Sequence, residues 1–338
     1  IHVSTVKGKG YDFAEKNPSK FHGIGKFNID TGEPLSKGKT FSDAFGENLL
    51  SFAEKDSRIC AITAAMATGT GLVNFANKYP KRFFDVGIAE QHAVTFSSGL
   101  AKNGMIPFFA VYSTFLQRSY DQLVHDVAMQ GLKVIFCIDR AGFVGEDGES
   151  HQGVFDTAYL MSVPDLTVFA PATFDELSSM MYQAAYKEEK AVAIRYPRGG
   201  QAVLPENYKY EKHAFDVIGD SSNDICLVTY GRETEPCCKA LKECDNAFVL
   251  KLNKIKPLSS EIADVLKNTK KIFFLEEGIK SGGVGECFAE LLLENGVNAE
   301  YRHICINDEF VKQASVDSQL KKYCLDAQSV IDIVNEKI

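Results

Sequence analysis

The feature that most constrains this chain is a series of short, almost wholly apolar runs separated by stretches of helical spacing. The runs are Arg58–Thr63, Phe83–Val86, Pro107–Tyr112, Lys133–Ile138, Thr167–Ala170 and Ala191–Arg195. A strand exposed on one face alternates apolar and polar residues, whereas a strand buried on both faces reads as a continuous apolar run. Between the runs the period changes. Phe41, Ala44, Phe45, Leu49 and Phe52 share one helical face between Thr40 and about Lys55, and similar spacing covers 90–103 and 114–130. Alternating strand and helix predicts an α/β domain, a parallel sheet with helices on both faces. After a polar stretch at 205–212 the pattern resumes with Ile225–Thr229, Ala247–Leu252 and Lys271–Leu275, and a helical pattern over Val284–Asn295. The 338 residues are therefore divided into a domain over 40–205, a second α/β domain over 213–338, and a leading segment, 1–39. That segment opens on a strand-like His2–Val6, then becomes rich in Lys, Gly, Pro, Asn and Ser without a period. It reads as the tail of an upstream domain followed by a linker.

Composition narrows the function. With 37 Lys and Arg against 45 Asp and Glu, the net charge is −8. That argues against a nucleic-acid-coating role, which needs a basic face. No run of 18 apolar residues suggests a membrane span, and the opening Ile1-His2-Val3-Ser4 does not read as a signal peptide. The nine cysteines are odd in number, lack a CxxC pair and mostly sit in apolar runs; Cys237, Cys238 and Cys244 form the one cluster, with no nearby histidine. Free buried thiols in a reducing cytoplasm are expected.

Four strand ends carry the chemistry. Asp85-Val86-Gly87-Ile88-Ala89-Glu90 puts a carboxylate where a helix begins, at the edge of an open α/β sheet where ligands bind. The plainer reading of Glu90 is a favourable charge on the helix dipole. Tyr112-Ser113-Thr114-Phe115-Leu116-Gln117-Arg118 places a phenol, an aromatic face and a guanidinium at the next junction. The stretch 139–153, DRAGFVGEDGESHQG, concentrates ionisable groups and glycines; Asp147 and His151, four apart, are expected to meet, which would tune the imidazole for proton transfer. The alternative is an exposed polar loop. Arg195-Tyr196-Pro197-Arg198 adds guanidiniums suited to phosphate. Brought to one rim, these groups point to an anionic small molecule and proton transfer.

GIAEQHAVTFSSGLA at 87–101, YSTFLQRSYDQLVHDVA at 112–128, DRAGFVGEDGESHQGVFD at 139–156, RYPRGG at 195–200 and KGKGYDFAEKNPSKFHG at 7–23 resemble the 1-deoxy-D-xylulose-5-phosphate synthases. These belong to the transketolase-like thiamine diphosphate group. The resemblance implies a pyrimidine-binding domain with a parallel sheet and a transketolase C-terminal-like domain with a mixed sheet. It implies decarboxylative condensation of pyruvate with glyceraldehyde 3-phosphate, for isoprenoid, thiamine and pyridoxal synthesis, by a cytoplasmic homodimer. Glu90 matches the glutamate that hydrogen-bonds the aminopyrimidine, Phe115 the aromatic stacked on it, and Tyr11 a further cofactor contact. Tyr112, Arg118 and Arg198 match the glyceraldehyde 3-phosphate site, with the guanidiniums toward the phosphate. Asp147, His151 and His22 match catalytic groups lining the reacting carbons.

The sequence departs from the family in one respect. The diphosphate and its magnesium are bound through a GDG motif followed by Asn, and no GDG occurs here. The N-terminal domain carrying it is expected to be absent, leaving an isolated chain that holds no metal site, retains the pyrimidine half of the cofactor site and is inactive alone. Two other readings stay open: the β subunit of a 2-oxo acid dehydrogenase, and a non-catalytic assembly half of the same fold.

Overall fold

A computed structural model describes residues 1–338 apart from Ser19, Gly23, Ser36, Lys37, Lys337 and Ile338. It contains two compact units, Ile1–Lys39 and Thr40–Ile338. In the first, the expected strand at 2–6 does not form, since no neighbouring strand takes up its backbone hydrogen bonds among the described residues. The stretch read as a linker is instead locally folded. A short helix, Asp12–Lys16, precedes a β-bridge between Phe27 and Pro34. The Tyr11 ring packs against Phe13, Phe21 and Phe27 at centroid distances of 5.4–5.8 Å. Four aromatics scattered over a Gly- and Lys-rich stretch have no period, which is why sequence spacing does not reveal them.

The larger unit contains two sheets. The first has seven strands: β1 (Ile59–Thr63), β2 (Phe83–Asp85), β3 (Ile106–Tyr112), β4 (Ile135–Asp139), β5 (Thr167–Phe169), β6 (Val192–Arg195) and β10 (Lys254–Lys256), in the order β10-β5-β6-β4-β3-β1-β2. All its pairings are parallel except β10 with β5. Every residue of β1, β4 and β6 is buried, as their apolar runs require. The second sheet is β12-β11-β8-β9-β7, built from β7 (Phe215–Ile218), β8 (Ile225–Tyr230), β9 (Ala247–Leu252), β11 (Lys271–Ile279) and β12 (Glu300–Ile306); β7 runs antiparallel to β9 and the rest are parallel. The parallel and mixed character of the two sheets agrees with the fold expected from the sequence. The short edge strands β7 and β10 and the half-exposed β12 carry no continuous apolar run and are not legible in the sequence.

The sheets share their packing. One continuous core includes Cys60, Ile62, Phe109 and Phe136 from the first sheet and Cys226, Val228, Phe248 and Phe274 from the second. Strand β10 lies beyond the polar stretch at 205–212, yet it completes the first sheet. Helix starts follow local chemistry. Thr40 and Asp43 form a reciprocal capping box at the start of Phe41–Lys55, whose Phe41, Ala44, Phe45 and Leu49 are buried. The helix expected over 114–130 is broken into α-turns at Ser113–Leu116 and Tyr120–Gln122, a 3-10 turn at Gln117–Ser119 and a π-helical stretch at Leu123–Ala128. Such interruptions gather at functional positions.

None of the nine cysteines, all among the described residues, forms a disulfide, and burial pushes the thiols of Cys60 and Cys238 up to about 12, so these two are inert packing groups. No helix among the described residues is long and apolar enough to cross a membrane.

Beneath the junction of the two sheets lies a buried ion network. Lys251 of β9 is fully buried and pairs with Glu176 at 3.1 Å; Asn253 accepts a further bond from it, and Asp216 lies at 3.9 Å. The Tyr208 hydroxyl, with one proton to donate, lies between Glu176 and Asp216, at 2.9 and 2.7 Å. Removing one member of such a pair strands a buried charge and costs about 3–5 kcal/mol. Lys251→Met should lower the urea midpoint accordingly, and Glu176→Gln added to it should restore part of the loss. A Lys251→Met chain as stable as the parent would show that the network carries no weight.

Candidate active site

Parallel pairing forces β1, β2, β3, β4 and β6 to end on one side of the first sheet, and the four segments singled out in the sequence begin there. The turn after β2 is fastened by Asp85, whose Oδ1 accepts from the Ala65 and Gly87 amides at 2.8 and 3.0 Å. Gly87 has φ +73°, a conformation that favours glycine. The chain then enters the helix Glu90–Lys102 without a side-chain cap, and Glu90 occupies its first turn.

Glu90 is more than a charge on a helix dipole. Its side chain is 3% exposed, and its Oε2 is buried and accepts no hydrogen bond. The one partner of that oxygen among the described residues is Arg118, whose Nε lies 3.2 Å away and whose own side chain is 54% exposed. A buried carboxylate oxygen without a donor is costly unless something supplies one. The oxygen keeps the capacity to accept a hydrogen bond.

At the end of β3, Tyr112 and Phe115 stack with centroids 5.9 Å apart and planes 22° apart. His151 meets the Phe115 ring edge-on at 5.4 Å. The Arg140 guanidinium lies 3.7 Å above the Tyr112 ring. Burial raises the Tyr112 pKa, so the phenol stays neutral. Gly69 permits this packing, because a Cβ there would lie 1.7 Å from the Tyr112 hydroxyl.

The loop after β4 is organised by charge. Asp139 is fully buried and accepts from Ser42 Oγ at 2.6 Å and Arg140 Nη1 at 2.9 Å; burial raises its pKa, opposed by Arg140. Arg140 has φ +60° and also donates to the Gly69 carbonyl at 2.9 Å. Asp147 lies between two guanidiniums, 3.0 Å from Arg198 Nη1 and 3.7 Å from Arg140 Nε. The expected contact between Asp147 and His151 is not made: no hydrogen bond joins them, and His151 Nδ1 lies 3.0 Å from Ser150 Oγ instead. A separation of four brings side chains together in an α-helix. Here two 3-10 turns, Gly145–Asp147 and Glu149–His151, are separated by Gly148 at φ +94°.

Glu90, Tyr112, Phe115, Arg118, Asp147, His151 and Arg198 thus lie at strand ends on one side of the sheet in two contact sets, Glu90 with Arg118, and Phe115, His151, Tyr112, Asp147 and Arg198 joined through Arg140. Arg118 and Arg198 do not share a partner; Arg118 sits on Glu90 and Arg198 on Asp147. The arginine that does share Asp147 with Arg198 is Arg140, to which sequence reasoning gave no role. Its signal was its place directly after the apolar run 133–138 in Asp139-Arg140-Ala141-Gly142. Tyr11 and His22 belong to the smaller unit, where the Tyr11 hydroxyl donates to the Ile29 carbonyl at 2.8 Å and His22 is exposed. Gly23, which follows His22, lies outside the described residues. Among the described residues no group of three His, Cys, Asp or Glu side chains is arranged to hold a metal ion.

Comparison with known proteins agrees with this architecture. Residues 37–201 match the transketolase pyrimidine binding domain, and residues 216–330 match the transketolase C-terminal domain. The chain is 43% identical to the 1-deoxy-D-xylulose-5-phosphate synthase of Clostridium acetobutylicum over 98% of its own length and 54% of the relative's. It is 44% identical to the synthase of Caldanaerobacter subterraneus over 100% of its length and 55% of the relative's. It therefore spans about half the length of the curated relatives it matches. Among solved structures, a split-gene transketolase described as an inactive beta4 tetramer superposes with TM-score 0.78 at 26% identity, covering 88% of this chain and 98% of that one. Transketolase from Campylobacter jejuni shares the fold, with TM-score 0.73 at 15% identity over 90% of this chain and 48% of that one. With both domain matches in order and nearly its whole length aligned to the synthases, this chain belongs to the transketolase family, in which it carries the pyrimidine-binding domain followed by the C-terminal domain.

Proposed function

We propose that this chain supplies the aminopyrimidine side of a thiamine diphosphate site, and the acceptor side of a 1-deoxy-D-xylulose-5-phosphate synthase that joins pyruvate to glyceraldehyde 3-phosphate with loss of carbon dioxide. The observation that carries the reading is the buried Glu90 Oε2, ion-paired with Arg118 yet accepting no hydrogen bond, at a strand-end rim that also holds Phe115, His151 and two guanidiniums on one carboxylate. Such an oxygen fits the protonated ring nitrogen of an aminopyrimidine, and the Phe115 face fits its ring. When bound, thiamine diphosphate supplies the carbanion chemistry. The protein's part is to bind and orient.

Each residue has a distinct task in this reading. Glu90 accepts the ring N–H in a water-poor position, where a charge-assisted hydrogen bond is strong. Arg198 and Arg140 receive the acceptor phosphate, exchanging the Asp147 carboxylate for phosphate oxygens; Tyr112, packed under Arg140, steadies that guanidinium. His151, held against Phe115, is placed to hold or move a proton beside the cofactor ring, with Asp147 and His22 as further catalytic groups and Tyr11 as a cofactor contact. Magnesium and the diphosphate would be held by residues outside this sequence, which contains no GDG motif. The enzyme is read as a cytoplasmic homodimer. Ile88, 80% exposed two residues before Glu90, and Met129, 71% exposed, are apolar side chains that a second subunit would cover.

Two measurements test the assignment, made with the diphosphate-binding part present. Glu90→Gln keeps the shape but weakens the bond to the ring nitrogen, and kcat should fall by about 10²–10⁴. A wild-type kcat in that variant would sink the cofactor reading.

The arginines are separated by the substrate whose constant moves. Arg198→Ala and Arg140→Ala should each raise KM for glyceraldehyde 3-phosphate by about 10–150-fold and leave that for pyruvate nearly unchanged. Arg118 was expected to share the phosphate but sits on Glu90. If it acts through Glu90, Arg118→Ala lowers kcat; if it binds phosphate, the variant raises the acceptor KM as the other two do.

A further inference from the structure

The loop 139–153 holds Asp147 and His151, yet its fixed point lies in the other domain. Phe143 is fully buried, and its backbone is held at both ends. Its amide donates to Glu277 Oε2 at 2.7 Å, and its carbonyl accepts from Arg232 Nη2 at 3.1 Å. Arg232 and Glu277 are paired with each other, Nε to Oε1 at 2.9 Å and Nη2 to Oε2. Glu277 lies on β11 and Arg232 in the 3-10 turn after β8, so both arise from the second sheet. The Phe143 ring stacks on Tyr323 at 5.4 Å. At Gly142 a Cβ would lie 2.5 Å from Glu277 Oε2, so the chain passes as close to that carboxylate as a glycine allows.

The charges are arranged to keep this grip. Burial works to raise the Glu277 pKa, but the Arg232 guanidinium overrides it and the group lies below the ordinary glutamate range. Glu233, next to Arg232, is buried with neither oxygen accepting a hydrogen bond. Burial first, then the Glu277 carboxylate, hold the Glu233 pKa well above its ordinary value. A neutral Glu233 leaves Arg232 with one carboxylate partner, and that partner carries Phe143.

We propose that Arg232 and Glu277 are positioning residues: a clamp by which the C-terminal domain holds the Phe143 peptide and sets the height of the loop bearing Asp147 and His151 over the active-site rim. Two further contacts follow the same loop. Lys312 pairs with Glu149 at 2.5 Å, and the Ile279 amide donates to the Val154 carbonyl at 3.0 Å. The C-terminal domain, which contributes none of the rim residues described above, thereby acts on the site through backbone placement. What the loop does there rests on the function proposed above; the clamp itself does not.

Amide hydrogen exchange on the 338-residue chain separates the two. In Glu277→Gln, exchange across 142–153 should accelerate by about 10–150-fold, the loss expected for one charge-assisted hydrogen bond, while Leu227 and Val228 in β8 keep their rates. The double variant Arg232→Met with Glu277→Met removes both charges together and so avoids an unpaired buried ion; it should fold with a cooperative transition and still show the fast loop. Unchanged loop exchange in both variants, or acceleration spread equally over β8, overturns the clamp. Glycerol 3-phosphate added to the unaltered chain should slow exchange of the same amides. Its failure to do so counts against the acceptor-site reading alone, and fast exchange confined to the loop supports the clamp in either case.

Discussion

Parallel strand pairing is the constraint on which the rest of this molecule depends. In the first sheet β6, β4, β3, β1 and β2 lie side by side and run the same way, so their carboxyl ends form one edge. Each strand must be followed by a crossover, and each crossover starts at that edge. Residues more than a hundred positions apart, Glu90 and Arg198 among them, come to one rim because the hydrogen-bond ladder leaves them no other place. The strands can be parallel because they are apolar on both faces, and both faces are covered.

Charge is then placed where that edge can tolerate it. Asp139 and Arg195 end buried strands and are themselves buried, each satisfied by a neighbour: Ser42 and Arg140 for the first, Asp156 at 3.0 Å for the second. Among the charged groups at the rim, Glu90 Oε2 and Arg140 Nε are buried without a hydrogen-bond partner. Asp139 and Arg195 are closed by their neighbours, whereas Glu90 Oε2 and Arg140 Nε are not.

The two sheets divide the work. The first presents side chains, and the second holds the backbone that one of those presentations needs. Strand β10 adds to the edge of the first sheet, and Lys251 and the Arg232–Glu277 pair reach across the junction.

The sequence alone determined the α/β class, the parallel first sheet, the helix beginning at Thr40 and the strand-end positions of Glu90, Tyr112, Phe115, Arg118, Asp147, His151 and Arg198. These are local consequences of apolar period, turn chemistry and motif, each readable within about a dozen residues. Tertiary structure decided the rest. The aromatic cluster around Tyr11 and the edge strands β7, β10 and β12 have no local period to betray them. The carboxylate partner of each arginine depends on which strand ends are neighbours: Arg198 and Arg140 meet at Asp147, and Arg118 meets Glu90. Asp147 and His151 were separated by a positive-φ glycine that sequence spacing treats as one more residue. The clamp on Phe143 joins positions 143, 232 and 277, and its energy resides in a buried carboxylate and guanidinium whose proximity only the packing of two sheets creates.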